Sequence, residues 1–217
     1  YILLHHLCIT FCMMLSLYLG IIIINQGKNG RVLRSQLPSH YLHLGNFYAD
    51  VFGKTYNTDV IGLRYFNIFG PKQSPKGAYA AVIPLFMEAI KNDDSATING
   101  DGEQTRDFTF VENAVQANIK GFFAPKEAAN EVFNIACGER ISVNYLWEHI
   151  NKAASKNVKA IYGPSRQGDV RDSLADISKA SKLLGYKPEF KVKEGLQITY
   201  NWFIRIRSFR YCYKNLG

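Results

Sequence analysis

The chain has 217 residues, 47% of them hydrophobic and 20% charged, so it is long enough and apolar enough to bury a core, which excludes an intrinsically disordered chain. Its formal net charge of +8 would suit a nucleic-acid or acidic-membrane partner, but the charge sits at the ends. Residues 1–49 contain no acid, only Lys28, Arg31 and Arg34, and residues 204–217 again contain none beside Arg205, Arg207, Arg210 and Lys214, whereas all 18 acids lie between.

The near-neutral middle offers no basic face, so no nucleic-acid partner is expected. Cys8, Cys12 and Cys212 lie in the flanks and Cys137 alone in the middle, which is no disulfide framework and suits a reducing, cytoplasmic compartment.

Taken in chain order, residues 7–24 form an uncharged run ending in four isoleucines, close to the minimum for a transmembrane helix. A membrane association is expected only through this run. A signal peptide fits less well, since there is no basic n-region and no small-residue cleavage site. His5, His6, Cys8 and Cys12 match no common zinc spacing, so no metal site is expected. The alternative reading of residues 1–45 is a non-native, out-of-frame flank, because the acid-free stretch gives way abruptly to a well-patterned region near Asn46. The same change recurs after Phe203, leaving residues 204–217 as a basic tail.

Residues 47–56 can form a helix that leads into Val60-Ile61-Gly62-Leu63-Arg64-Tyr65-Phe66, a short apolar run of the kind buried in a parallel sheet. Residues 80–91 read as a helix with Val82, Ile83, Phe86, Met87 and Ile90 inward. Residues 111–123 read as another, with Val111, Val115, Ile119 and Phe122 on one face. Residues 131–135 are a strand candidate. Ser142 is a plausible N-cap for a helix turning Val143, Leu146, Trp147 and Ile150 inward. Asp176 is one for residues 177–184, which Gly185 and Pro188 stop. Alternating strands and helices predict an α/β fold.

Five short motifs follow one another: Arg64-Tyr65-Phe66-Asn67 with Phe69-Gly70-Pro71; Ala80-Ala81-Val82-Ile83-Pro84; Asn99-Gly100-Asp101-Gly102 with Thr105-Arg106-Asp107-Phe108; Phe133-Asn134-Ile135-Ala136; and Arg166-Gln167-Gly168-Asp169. In order and spacing they resemble the C-terminal part of extended short-chain dehydrogenase/reductases of the NAD-dependent epimerase/dehydratase family, most closely UDP-N-acetylglucosamine 4-epimerases. The resemblance covers residues 46–203. It implies the C-terminal portion of a Rossmann-like NAD(P)-binding fold with its small substrate-binding domain, and a UDP-sugar as ligand.

Residue by residue, the resemblance assigns Arg106 and Arg166 to the diphosphate, for which a guanidinium fork suits phosphate oxygens. It assigns Asn67 to sugar and phosphate, Ala81 and Val82 to the segment along the nucleotide, Asn99 to the position beside uracil, and Asp169 to the ribose hydroxyls. Tyr65 corresponds to a residue whose backbone lies near the nicotinamide of NAD, although an aromatic in a strand is ordinarily core. The intact family is homodimeric.

Epimerisation in this family uses NAD as hydride carrier and a Tyr-x-x-x-Lys pair as base. No glycine-rich phosphate loop is evident upstream, where Gly27, Gly30 and Gly45 have the wrong spacing. Tyr41 is followed four positions later by Gly45 rather than a lysine. The expectation is therefore a chain lacking the dinucleotide-binding half, with no assignable catalytic residue and no bound NAD. Two other functions are carried alongside: a related epimerase or dehydratase acting on UDP-glucuronate or a dTDP-sugar, and a membrane-anchored, non-catalytic nucleotide-sugar-binding protein.

Overall fold

The computed structural model describes residues 55, 59–75, 81–166 and 168–205, together with the backbone of residues 20–25, 31–34 and 206–214. Its strands are β1 (Gly20–Asn25), β2 (Arg31–Arg34), β3 (Asp59–Tyr65), β4 (Ile68–Phe69), β5 (Thr97–Asn99), β6 (Thr105–Arg106), β7 (Thr109–Phe110), β8 (Glu131–Ile135), β9 (Ile141–Ser142) and β10 (Ile161–Gly163). Its helices are α1 (Val82–Lys91), α2 (Val111–Phe122), α3 (Val143–Ala153), α4 (Ser178–Leu184) and α5 (Val192–Lys214). This is the expected α/β class.

The main sheet runs β2-β1-β3-β8. β3 pairs in parallel with β8, setting Leu63 opposite Phe133 and Tyr65 opposite Ile135. Val60, Ile61, Leu63, Phe133 and Ile135 are buried, as an unbroken apolar run covered on both faces requires. Gly62 lets the two strands approach, since a Cβ there would stand 3.0 Å from Val132 Cγ2. β1 lies on the other side of β3 but antiparallel to it, with Ile21 opposite Leu63 and Ile24 opposite Val60.

That pairing corrects part of the expected membrane run. Ile21 to Ile24 are hydrogen-bonded into a sheet rather than continuing an apolar helix; β-branched residues fit a pleated surface well. Residues 7–19 lie outside the described residues, among which no helix is long and apolar enough to cross a membrane. Of the helix expected at residues 47–56 only Thr55 is described, and it is helical. At the other end α5, which the pattern did not reveal, runs on through Lys214, so the backbone of the basic tail continues a helix begun inside the domain.

α2 crosses the main sheet and differs from its expected face. Val111 and Val115 are buried as anticipated, but Ile119 and Phe122 are only half-buried, and the buried positions further along are Ala114, Ala117, Asn118 and Gly121. The helix is packed from more than one side: Val111 and Ala114 belong to one apolar cluster and Ala117 to another. Small side chains permit that close approach, while the larger ones move to the margin.

One cluster lies against the main sheet and gathers Ile61, Leu63, Phe133 and Ile135 with Ala180, Leu184 and Tyr186 around α4. The helix starts one residue later than expected, so its N-cap is Ile177 rather than Asp176, although Asp176 still accepts from Ser178 N at 2.9 Å; Gly185 ends it at φ 61°, a left-handed conformation favouring glycine. The second cluster joins α1, α3 and α5 and floors the candidate site. Phe86 of α1 meets Trp147 of α3 edge to face at 5.0 Å, a geometry worth about 0.5–1.5 kcal/mol beyond area burial. Trp147 Nε1 donates to Val158 O at 3.0 Å, and Ser142 caps α3 by accepting from Tyr145 N at 3.1 Å.

Candidate functional site

A cavity of about 290 Å³ opens beside the carboxyl end of β3, where open α/β sheets bind ligands. The structure places Asn67, Ala81, Val82, Asn99, Arg106, Arg166 and Asp169 around it, seven of the eight residues singled out in the sequence. The eighth, Tyr65, is half-buried at the end of β3, packs against both apolar clusters and does not line the cavity.

Asn67 sits where the chain leaves β3, at φ 39°, a left-handed conformation that Asn tolerates better than most residues. Its Nδ2 donates to Asp107 O at 2.8 Å, and its own carbonyl accepts from Thr109 N at 3.2 Å. Asn67 therefore makes the turn as well as lining the cavity. The turn delivers β4 beside β7, pairing Ile68 with Thr109 and Phe69 with Phe110.

Ala81 is the N-cap of α1, and an alanine cannot cap: no side chain accepts from the first turn, which also holds no acid. The helix thus presents uncapped N–H groups and the positive end of its dipole on the cavity wall, an arrangement that favours an anion. Pro84 removes one N–H in that first turn at little cost, since it would lack an intrahelical partner anyway.

The opposite wall is the Thr105-Arg106-Asp107-Phe108-Thr109 stretch. Extended backbone alternates its side chains, so Arg106 and Phe108 line the cavity while Asp107 and Thr109 point into the interior. Arg106 Nη1 donates to Thr105 O at 2.7 Å and more weakly to Arg171 O at 3.4 Å, and Nη2 makes a short hydrogen bond to Asp169. The neighbouring loop is tied down by Thr105 N to Arg171 O at 2.9 Å and Thr105 Oγ1 to Asp172 Oδ1 at 2.7 Å. Asp169 N donates to Arg166 O at 3.2 Å with Gly168 at φ 79°, a tight turn that sets Arg166 and Asp169 on the same wall. Among the described residues Arg166 makes no ion pair.

Asn99 ends β5, and Gln104 Nε2 donates to its carbonyl at 2.9 Å. The floor is apolar, with Ile83, Phe86, Ile98 and Phe108. Gln104 and Phe86 are cavity residues that the sequence reading passed over. Gln104 had a usable signal in its two-residue offset from Arg106, whereas Phe86 reads as core.

Behind this wall Asp107 is buried, accepting from Cys137 N at 3.0 Å, Gly138 N at 3.1 Å and Ala175 N at 3.3 Å. Burial raises its pKa above the ordinary carboxylate value, and the N–H groups of Ala175, Cys137, Gly138 and Glu139 pull it back. Burial likewise pushes the Cys137 thiol up to about 11. Tyr186, whose hydroxyl donates to Ala136 O at 2.9 Å, is also raised, again chiefly by burial. Among the described residues no group of three or more His, Cys, Asp or Glu is placed to hold a metal.

Known proteins resemble this chain. The family model for the NAD dependent epimerase/dehydratase family matches residues 43–136. A UDP-glucuronate 4-epimerase from Thermodesulfobacterium geofontis is 34% identical over 148 residues, 68% of this chain and 44% of the relative. The crystal structure of a UDP-glucose 4-epimerase from Thermotoga maritima with UDP-glucose has a TM-score of 0.73 and 32% identity, covering 81% of this chain and 55% of that one. A UDP-N-acetylglucosamine 4-epimerase from Methanobrevibacter ruminantium, in complex with UDP-N-acetylmuramic acid, has a TM-score of 0.72 and 37% identity over 84% of this chain and 59% of that one. The chain spans about half the length of the curated relatives it matches. Residues 43–136 are thus similar to the NAD dependent epimerase/dehydratase family, as the C-terminal part of one of its members would be.

Proposed function

We propose that this chain binds a UDP-sugar in the cavity between α1 and the Arg106 wall, with the diphosphate held by Arg106 and Arg166. The observation that carries the reading is the convergence of two arginines and an uncapped helix N-terminus on one apolar-floored cavity. Each arginine offers a planar fork of donors, and the helix end adds backbone N–H groups, which together suit two linked phosphates better than a single carboxylate. Asn99 and Gln104 then stand where a base can be received, and Asp169 supplies an acceptor for ribose hydroxyls. Structural relatives solved with UDP-glucose and with UDP-N-acetylmuramic acid support the class of ligand.

Within that class the motifs favour an N-acetylhexosamine, as in UDP-N-acetylglucosamine 4-epimerases. A second reading, UDP-glucuronate, is favoured by the relatives that bear that name. Titration of the purified full chain with UDP, UDP-N-acetylglucosamine and UDP-glucuronate separates them. Saturable UDP binding is expected, and Arg106→Ala or Arg166→Ala should each weaken it about 10- to 100-fold, the loss of one to two charge-assisted hydrogen bonds. Absence of saturable UDP binding by the parent chain would sink the proposal.

Binding is proposed here without turnover. NAD supplies the hydride acceptor in this family, but the described residues do not fit a dinucleotide. β1, the neighbour of β3, is antiparallel to it, so the two do not present carboxyl ends along a common edge. Tyr41 lies outside the described residues. The expected result is no interconversion of UDP-N-acetylglucosamine and UDP-N-acetylgalactosamine when NAD is added; measurable turnover contradicts it.

A further inference from the structure

The two residues assigned to different parts of the ligand hold each other. Arg106 Nη2 is hydrogen-bonded and ion-paired to Asp169, across 63 positions of sequence. We propose that Asp169 is a stand-in for the ligand's phosphate, so that ligand entry is an exchange in which a phosphate oxygen replaces the Asp169 carboxylate on Arg106. The inference rests on the anion-binding reading of the cavity.

Three features of the geometry support an exchange over a permanent bridge. First, the orientation of Arg106 does not depend on Asp169, because Nη1 is anchored to Thr105 O at 2.7 Å and, more weakly, to Arg171 O. The fork stays aimed once the carboxylate leaves. Second, the pair is partly open to solvent, with side-chain exposures of 20% for Arg106 and 37% for Asp169, so it is cheap to break and the freed carboxylate can be hydrated or taken up by ligand hydroxyls. Third, Asp169 follows Gly168 in a tight turn closed by its own N–H on Arg166 O, and the loop is pinned again at Arg171. The side chain can leave Arg106 by rotation about its own bonds while both pins stay in place.

A second consequence separates the two arginines. Arg166 makes no ion pair among the described residues and is open to a first phosphate, whereas Arg106 is held by a carboxylate that a phosphate must outcompete. A dianionic diphosphate bridging both arginines does this more readily than a single weak anion. Asp169 thereby acts as a specificity residue that discounts lone small anions.

The test uses the full chain and inorganic pyrophosphate, titrated by calorimetry at fixed ionic strength. Asp169→Asn and Asp169→Ala are expected to bind pyrophosphate about two- to five-fold more tightly than the parent, the factor corresponding to loss of a partly exposed competing pair. The gain should disappear in an Arg106→Ala background. Unchanged or weaker pyrophosphate binding in both variants overturns the exchange, as does failure to detect pyrophosphate binding by any of them. A gain that persists without Arg106 also overturns it, because it would then come from the added net charge. Coincident thermal melting of parent and variants confirms that folded proteins are being compared. UDP saturation of the parent is read in the same series, so that a chain that binds UDP without showing the pyrophosphate gain loses the exchange and keeps the proposed ligand class.

Discussion

The cavity wall and the interior behind it are built from one extended stretch around Arg106 and Asp107, and the two sides treat charge in opposite ways. On the cavity side Arg106 and Asp169 form a pair open to water, whose contribution to stability is small, about 0–1 kcal/mol. On the interior side Asp107 is buried, with three backbone N–H groups from two other segments converging on it. The exchange proposed for Asp169 is closed to Asp107, whose partners Cys137 and Ala175 are buried with it. Adjacent residues in sequence thus divide the proposed ligand binding from the fixing of the loops, because an extended backbone sends neighbouring side chains to opposite faces.

The largest expected effect of breaking that division lies at Asp107. Asp107→Ala leaves three buried N–H groups without their acceptor and should cost about 3 kcal/mol or more in urea denaturation, whereas Arg106→Ala should cost less than about 1 kcal/mol while weakening UDP binding. Equal losses of stability in the two variants would erase the distinction.

A smaller change follows from titration on the interior side. The Cys137 thiol has its pKa raised to about 11 in the fold from an ordinary value of 9.0. The folded chain therefore holds its proton where the unfolded chain releases it, so this contribution to stability is full below pH 9 and is lost as pH rises towards 11. Denaturation series at pH 8, 9 and 10 should show the decline, about 2 kcal/mol by pH 11, and Cys137→Ala should remove much of it. Ionisation of Tyr186 adds to the decline in the same direction at higher pH, since its pKa too is raised by burial.

Tyr186→Phe should cost about 1–2 kcal/mol by leaving Ala136 O without its buried donor, and should leave the UDP affinity unmoved. Least of all, Ser142→Ala removes the cap of α3 and should lower stability by about 1 kcal/mol, read as a shift in the midpoint of thermal unfolding. A change in UDP affinity from either substitution would show that the interior and the cavity are coupled more tightly than their hydrogen bonds indicate.

Local chemistry explains what was legible beforehand. Asn67, Arg106, Arg166 and Asp169 stood in short motifs that their resemblance to the family picked out, and the cap Ser142 and the stop at Gly185 follow from backbone chemistry within a few residues, whereas Asp176 falls one residue before the cap position. The face of α2 was misread because Ile119 and Phe122 satisfy helical periodicity, which records a single buried face, while the helix is enclosed from more than one side. α5 was missed for a related reason: its 23 residues include Gly195, set close to Phe69 and Phe110, and carry a weak apolar periodicity.

By itself the sequence determined the α/β alternation, the family resemblance and the residues that meet at the cavity, since these depend on local patterning and on short motifs. The tertiary structure alone decided that Ile21 to Ile24 pair with β3, that Phe86 reaches the cavity, and that Arg106 is held by Asp169. Each of those is a contact between segments distant along the chain, and no local pattern specifies which carboxylate a given guanidinium will meet.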